Sequence, residues 1–313
     1  KHSLKPLSIS EDDYDKKTNR IQRLKALPEV TRQISFEEKF YGYGLGYLSY
    51  RIGLRTKCVG HRGYPAKYPE NTIVSLEQAI KIGADGIESD VRITKDGQVI
   101  MMHDTTLDRT TNGSGNVDER NWNGYIEYLK IENDENVPKL QEVLDLLKRK
   151  ENKNLFFIMD IKDDNNIDII NAIADIIHSN EPYNFRSQIY LGIWTYDFFI
   201  RARQVLPNLP ITYIGSNISV AREQFFDKVE AYNMEYTYIL EDITGFASLI
   251  RSLGRKLFVW TVDAENEMKT LMLYGVDAIL SDDSTKCIRT RNQVEGSRIS
   301  WKSTKKLLDL IVF

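Results

Sequence analysis

The chain is poor in the residues that would tie it to several common classes of protein. Only two of its 313 residues are cysteine and four are histidine. Cys58 and Cys287 are too few and too far apart in sequence for a metal cluster or a disulfide framework. Their flanks read as buried strand and helix, so both are expected to be reduced core residues. No uncharged apolar run reaches the roughly eighteen residues that a transmembrane helix needs. A net charge of only -3 provides no basic field, which argues against a nucleic-acid partner. No heptad run specifies a coiled-coil partner either.

What is present is a soluble-type composition, 42% hydrophobic and 28% charged, arranged in a regular alternation. Residues 1 to 56 form a charged arm that passes into an aromatic segment, and the body of the chain runs from 57 to 295, with a tail from 296 to 313. Within the body, eight short apolar runs alternate with longer amphipathic stretches. The runs are 57–60, 86–91, 155–160, 188–193, 211–214, 236–240, 257–261 and 278–281. Helices are expected between them, for example over 72–82, 167–178, 197–205, 244–253 and 265–274. Eight β-α units over about 250 residues predict an α/β fold, a TIM (β/α)8 barrel. The interval from Asp104 to Pro138 is too long for a plain connection and predicts an inserted loop or small subdomain after the second strand.

A barrel of this kind places its chemistry at the carboxyl ends of its strands. The polar residues found there form a coherent set: His61, Arg62, Glu88, Asp90, Asp160, Lys162, Trp260 and Asp263. One residue separates Glu88 from Asp90, so the period of a strand puts both on one face. Carboxylates that converge inside an apolar barrel repel unless a cation lies between them, so Glu88, Asp90 and Asp160 predict a divalent-metal site. With oxygen ligands alone, magnesium, calcium or manganese suits it better than zinc or copper. The competing expectation is a set of buried ion pairs with Lys162, Arg92 or Arg62. Two of the four histidines, His61 and His103, border the same mouth. A base for the attacking oxygen and an acid for the leaving one are what phosphodiester hydrolysis requires. Arg62 and Lys162 would neutralise the phosphate oxygens.

The strings GHRGYPAKYPENT from Gly60 and GADGIESDVRITKDGQVIMMHDTTLDRTTNGSG from Gly83 resemble the signature of glycerophosphodiester phosphodiesterases. IMDIK at 158–162, WTVD at 260–263 and GVDAILSDD at 275–283 extend the resemblance. It implies that His61 and His103 are the catalytic pair, that Glu88, Asp90 and Asp160 hold the metal, magnesium or calcium, and that Arg62 and Lys162 bind phosphate. Glu70 then borders the site, and Trp260 joins Glu70, Arg62 and Lys162 as a substrate-binding residue. Asp160 departs from the glutamate of many bacterial members, which bears on the geometry of the metal site and not on activity.

The flanks bear on the substrate. Residues 36–54 carry Phe40, Tyr41, Tyr43, Tyr47 and Tyr50, and Trp301 with its basic neighbours leads into the apolar run that ends at Phe313. Such amphipathic aromatics suit a lipid headgroup boundary, although the same side chains could cap the barrel or cover a second copy of the chain, making a homo-oligomer. In size and flanks the chain is similar to the fungal phosphatidylglycerol-specific phospholipase C branch. That resemblance implies a membrane-associated, intracellular enzyme that takes a glycerophospholipid to diacylglycerol and glycerol 3-phosphate. The alternatives are hydrolysis of soluble glycerophosphodiesters, a lysophospholipase D-type cleavage, or an inactive barrel that only binds a membrane or a protein.

Overall fold

The computed structural model describes residues 55–242 and 245–296. The arm with its aromatic segment, up to residue 54, and the tail from residue 297 lie outside the described residues. Strand β1 (Lys57–Gly60) leads through helix α1 (Ile73–Lys81) to β2 (Gly86–Ile93) and the short β3 (Val99–Met101). After a long insertion come α2 (Leu140–Lys148), β4 (Phe156–Ile161), α3 (Ile169–Ser179), β5 (Ile189–Ile193) and α4 (Tyr196–Val205). The second half runs β6 (Ile211–Gly215), α5 (Ile218–Gln224), β7 (Ala231–Glu235), α6 (Tyr236–Glu241) and α7 (Phe246–Ser252). It ends with β8 (Lys256–Trp260), α8 (Glu265–Tyr274) and β9 (Ala278–Ser281), after which residues 284–296 are helical.

The parallel strands pair in the order β1, β9, β8, β7, β6, β5, β4, β2, and β2 pairs again with β1, which closes the ring. This is the eight-stranded barrel expected from the β-α alternation. Local chemistry sets its boundaries: Thr72 caps α1 by accepting from Ser75 N, and α8 stops at Gly275 in the left-handed region. The strands' outer faces and the helices share one large apolar core. A separate cluster of Val59, Phe156, Ile158, Ala231, Phe258, Ala278 and Leu280 fills the barrel interior beneath the mouth. No helix among the described residues is long and apolar enough to cross a membrane.

Three expectations need correction. The sixth barrel strand is Ala231–Glu235, while the run taken for it, 236–240, lies in helix α6. Asn233 and Glu235 interrupt the apolar pattern of the true strand because its end lies at the polar mouth, whereas the run that follows is apolar without being a strand. The insertion follows the antiparallel hairpin partner β3 and not β2 directly. It contains three 3-10 turns, and its Leu107, Val117, Ile126, Leu129, Ile131 and Val137 pack with Ile100 and Met102 in a core of their own.

The third correction concerns the cysteines, which are not reduced. Cys58 and Cys287 form a disulfide with Cα atoms 5.9 Å apart. The bridge joins β1 to the helical segment after β9, and the two sites are 229 residues apart in sequence. A crosslink that closes so long a loop restricts the unfolded chain. Reduction, or the double replacement C58S/C287S, is therefore expected to lower the unfolding free energy by about 2–4 kcal/mol. Chemical denaturation with and without reductant measures this, and superimposable curves would contradict it.

Candidate active site

The site begins with a tight turn after β1. Gly60 must be glycine, because a Cβ there would lie 2.1 Å from the carbonyl oxygen of Gly63. Within the turn Arg62 takes a positive φ of 53°, a costly conformation for a side-chain-bearing residue. The turn aims the backbone N–H of Arg62 at Glu88 Oε2, 2.7 Å away. It also places Arg62 Nη1 within reach of Glu70, whose Oε1 accepts from it at 3.2 Å. Arg62 Nε lies 3.4 Å from Asp90 Oδ2.

Glu88 and Asp90 on β2 and Asp160 on β4 are 2%, 0% and 6% exposed, so their charges have left water almost completely. Register brings them together, since Asp90 is directly opposite Asp160. One oxygen from each lies within 4.8 Å of the others. Lys162, expected on phosphate, lines the cavity and also sits between two of the acids, with Nζ 2.6 Å from Asp160 Oδ2 and 2.8 Å from Asp90 Oδ1. The latter contact lacks hydrogen-bonding angles, so Asp90 Oδ1 is a buried oxygen without a hydrogen-bond partner. Asn71 Nδ2 donates to Asp90 Oδ2 at 2.9 Å, and Trp194 Nε1 donates to Asp160 Oδ1 at 2.7 Å.

Counting charges tests both expectations for this cluster. Lys162 and Arg62 offset two of the three carboxylates, as the ion-pair reading requires, while Arg92 pairs elsewhere, with Asp164. Glu88 is left with a histidine at 3.9 Å as its nearest charged partner. Burial, with Asp90 beside it, pushes the Glu88 carboxyl up to about 8. Burial also raises Asp160, against the opposing pull of Lys162. In Asp90 the charges of Lys162 and Arg62 overcome burial and hold the carboxyl below its ordinary range. A surplus buried carboxylate at Glu88, in a set of hard oxygen donors, fits a divalent cation held by Glu88, Asp90 and Asp160.

The two histidines stand on the same cavity wall and each is oriented by an aspartate. His61 Nδ1 is 2.7 Å from Asp282 Oδ1, and His103 Nδ1 is 2.8 Å from Asp104 Oδ1. A carboxylate only accepts, so Nδ1 carries the proton in both rings and Nε2 is left for substrate. Burial opposes protonation of His61, but Glu88 and Asp282 outweigh it and raise the ring above its ordinary value. Burial, reinforced by Arg62, lowers His103 despite Asp90. Arg92 donates from Nε and Nη2 to the carbonyl of His103 at 2.9 and 2.6 Å, which holds the backbone in place after β3.

His61, Arg62, Glu88, His103, Asp160, Lys162 and Trp260 all line one cavity of about 250 Å³. Trp194, Ile214, Asn233, Thr261 and Leu280 complete the lining, and the two indoles meet edge to face with centroids 5.6 Å apart. Asp90 is packed behind this lining. Glu70 stands outside it, between Arg62 and Arg109, so its place is that of a support. Asp263 likewise supports, accepting from Ser281 Oγ and from the backbone N–H of Asp282. Sequence reasoning did not single out Asp104, Asp282, Asn71 or Trp194 as partners, and it offered Arg92 to the acids, whereas Arg92 holds Asp164 and the carbonyl of His103. Asp104 and Asp282 had a signal, since each lies at a strand-end motif quoted above, HD and LSDD.

The model of the glycerophosphoryl diester phosphodiesterase family matches residues 61–286. A glycerophosphodiester phosphodiesterase from Caldanaerobacter subterraneus subsp. tengcongensis is 30% identical over 237 residues, covering 74% of this chain and 95% of its own. A human lysophospholipase D is 23% identical over 274 residues, covering 74% of this chain and 84% of its own. Among solved structures, an Oleispira antarctica phosphodiesterase in complex with the product sn-glycerol-3-phosphate superposes with a TM-score of 0.67 at 20% identity, covering 78% of this chain and 99% of that one. On the span of the family match and the completeness of the acid and histidine set within it, the chain belongs to the glycerophosphoryl diester phosphodiesterase family.

Proposed function

We propose that this phosphodiesterase hydrolyses small glycerophosphodiesters to glycerol 3-phosphate and an alcohol, using magnesium or calcium. The observation that carries the reading is the cavity: about 250 Å³, lined by charged groups and two indoles together with both histidines. That volume suits a phosphate with a short polyol, and the glycerol 3-phosphate product held by the Oleispira barrel of the same fold supports it.

In this reading Arg62 lies beside the phosphate, and Lys162 keeps the acids neutralised on the cavity floor. A bound divalent cation supplies charge neutralisation at the phosphate oxygens. One histidine accepts the proton of the nucleophile, a water or the 2-hydroxyl of the glycerol moiety, through Nε2. The other donates a proton from Nε2 to the oxygen whose bond to phosphorus breaks. Asp104 and Asp282 hold the rings in the tautomer that this exchange needs.

A second reading is phospholipase C-type cleavage of phosphatidylglycerol at a membrane surface inside the cell. Its support is the aromatic segment at 36–54 and the apolar run before Phe313. The Cys58–Cys287 disulfide favours an oxidising compartment for either substrate. A panel of glycerophosphocholine, glycerophosphoglycerol, a lysolipid and phosphatidylglycerol in mixed micelles, with products identified, separates the readings. Glycerol 3-phosphate from the soluble diesters is the expected result. Turnover confined to phosphatidylglycerol, with diacylglycerol released, would replace it by the second reading, and lysophosphatidate from the lysolipid would indicate D-type cleavage.

A further inference from the structure

Arg109 lies in the insertion and does not line the cavity, yet it bridges two residues that each hold a working group. Its Nε and Nη2 donate to Asp104 Oδ2 and Oδ1 at 2.7 and 2.9 Å. Its Nη1 and Nη2 donate to Glu70 Oε2 and Oε1 at 3.0 and 2.7 Å. Asp104 Oδ1 also receives Nδ1 of His103, and Glu70 Oε1 also receives Nη1 of Arg62. One planar guanidinium thus ties the partner of a histidine to the partner of an arginine.

We infer that Arg109 is a positioning residue for phosphodiester hydrolysis, fixing the His103 ring through Asp104 and the Arg62 guanidinium through Glu70. The inference rests on the functional reading above. Its chemistry requires arginine, because two carboxylates are each gripped by a pair of N–H groups whose directions are set by one rigid plane. A lysine ammonium supplies three donors from a single point and cannot make both bidentate contacts. The hydrogen bonds from Arg109, with that from His103, hold Asp104 well below the usual carboxylate range, so the acid remains an ionised acceptor for the ring.

The arrangement is not needed to fold the insertion. Six of its buried apolar residues form a core with Ile100 and Met102, which precede it. Backbone bridges between Thr106 and Asn116 and between Thr111 and Ile131 tie it together without Arg109. The Arg109 side chain is 48% exposed. Replacing it should leave the insertion folded and change only the alignment of what lies beneath.

The test uses R109Q, R109K and R109A in the full chain, with R120A as a control, since Arg120 stacks on Tyr125 within the same insertion and touches neither carboxylate. Two readouts are taken: kcat and KM on the glycerophosphodiester that the wild type turns over, and the imidazole nitrogen NMR signals of His103, assigned by their loss in H103A. The expected result is a kcat for R109Q lower by roughly 10–100-fold, the usual size of an outer-sphere effect at such sites, with a much smaller change in KM. R109K should recover little, millimolar guanidinium should restore part of the R109A rate, and R120A should match the wild type. The His103 Nδ1–H signal should broaden or shift in R109Q. A wild-type kcat in R109Q, or an unchanged His103 signal alongside a reduced kcat, would overturn the inference. The NMR readout needs no turnover, so it still decides the inference if none of the diesters proves to be a substrate, a result that would count against the functional reading alone.

Discussion

Alanine at His103 is expected to lower kcat by roughly 10²–10⁴-fold on the chain's own diester, and alanine at His61 by a similar factor, because each removes one proton transfer from the reaction. Neither ring supports the fold. Each presents one nitrogen to an aspartate and the other to the cavity, so far-UV dichroism and the melting temperature should stay close to wild type. The two losses should differ in kind. His61 is flanked by carboxylates at both nitrogens, Asp282 at 2.7 Å and Glu88 at 3.9 Å, a setting that favours the protonated ring and hence the acid. A nitrophenyl phosphodiester has a leaving group that needs no proton, so it should restore much of the rate of H61A and little of that of H103A. Equal losses on both substrates would remove this division of labour, and an unimpaired H103A would remove His103 from the mechanism.

The second large effect concerns the acid cluster. Chelation by EDTA should abolish turnover, with recovery on addition of magnesium, calcium or manganese. Glu88→Gln should cost at least about 100-fold in activity, since a lost ligand should cost no less than the upper range for a lost outer-sphere partner of a ligand. Stability should move the other way. In metal-free protein the Glu88 carboxyl is raised from 4.5 to about 8 by burial and by Asp90. The folded state therefore binds a proton there that the unfolded state has lost, so the contribution of this group to stability falls as pH rises from about 4.5 to about 8. Glutamine mimics the protonated acid, so E88Q should flatten that fall and be the more stable protein near the top of this range, without metal. Thermal melts of the two proteins across that range, in chelator, measure it. A wild type whose metal-free stability rises over the window would contradict the placement of an unpaired acid at Glu88. This trade of stability for activity is the ordinary consequence of holding like charges together for a ligand.

Much of the site could be read directly from residues. Strand period put Glu88 and Asp90 on one face, and the strand-end rule for barrels selected His61, Arg62, Asp160, Lys162 and Trp260. All of these meet at one mouth, although Lys162 is spent on the acids and Glu70 on bracing two arginines. The bounds of β1, β9 and α8 were also legible, Gly275 marking the end of α8. The seventh strand in chain order, β7, was not, because the residues that serve the mouth, Asn233 and Glu235, are the ones that hide its pattern.

The sequence by itself therefore determined the barrel, the family and the list of chemical groups, because periodicity states which face a residue takes and motif strings state what it is. Partnership was decided only by the tertiary structure. Ring closure sets β1 beside β9, which brings His61 to Asp282 and Cys58 to Cys287 across more than 200 residues of chain. The same packing turns Arg109 of the insertion onto Glu70 near the start of the barrel. Local spacing carries no information about such pairs, since each depends on which strands become neighbours once the whole sheet has curled shut.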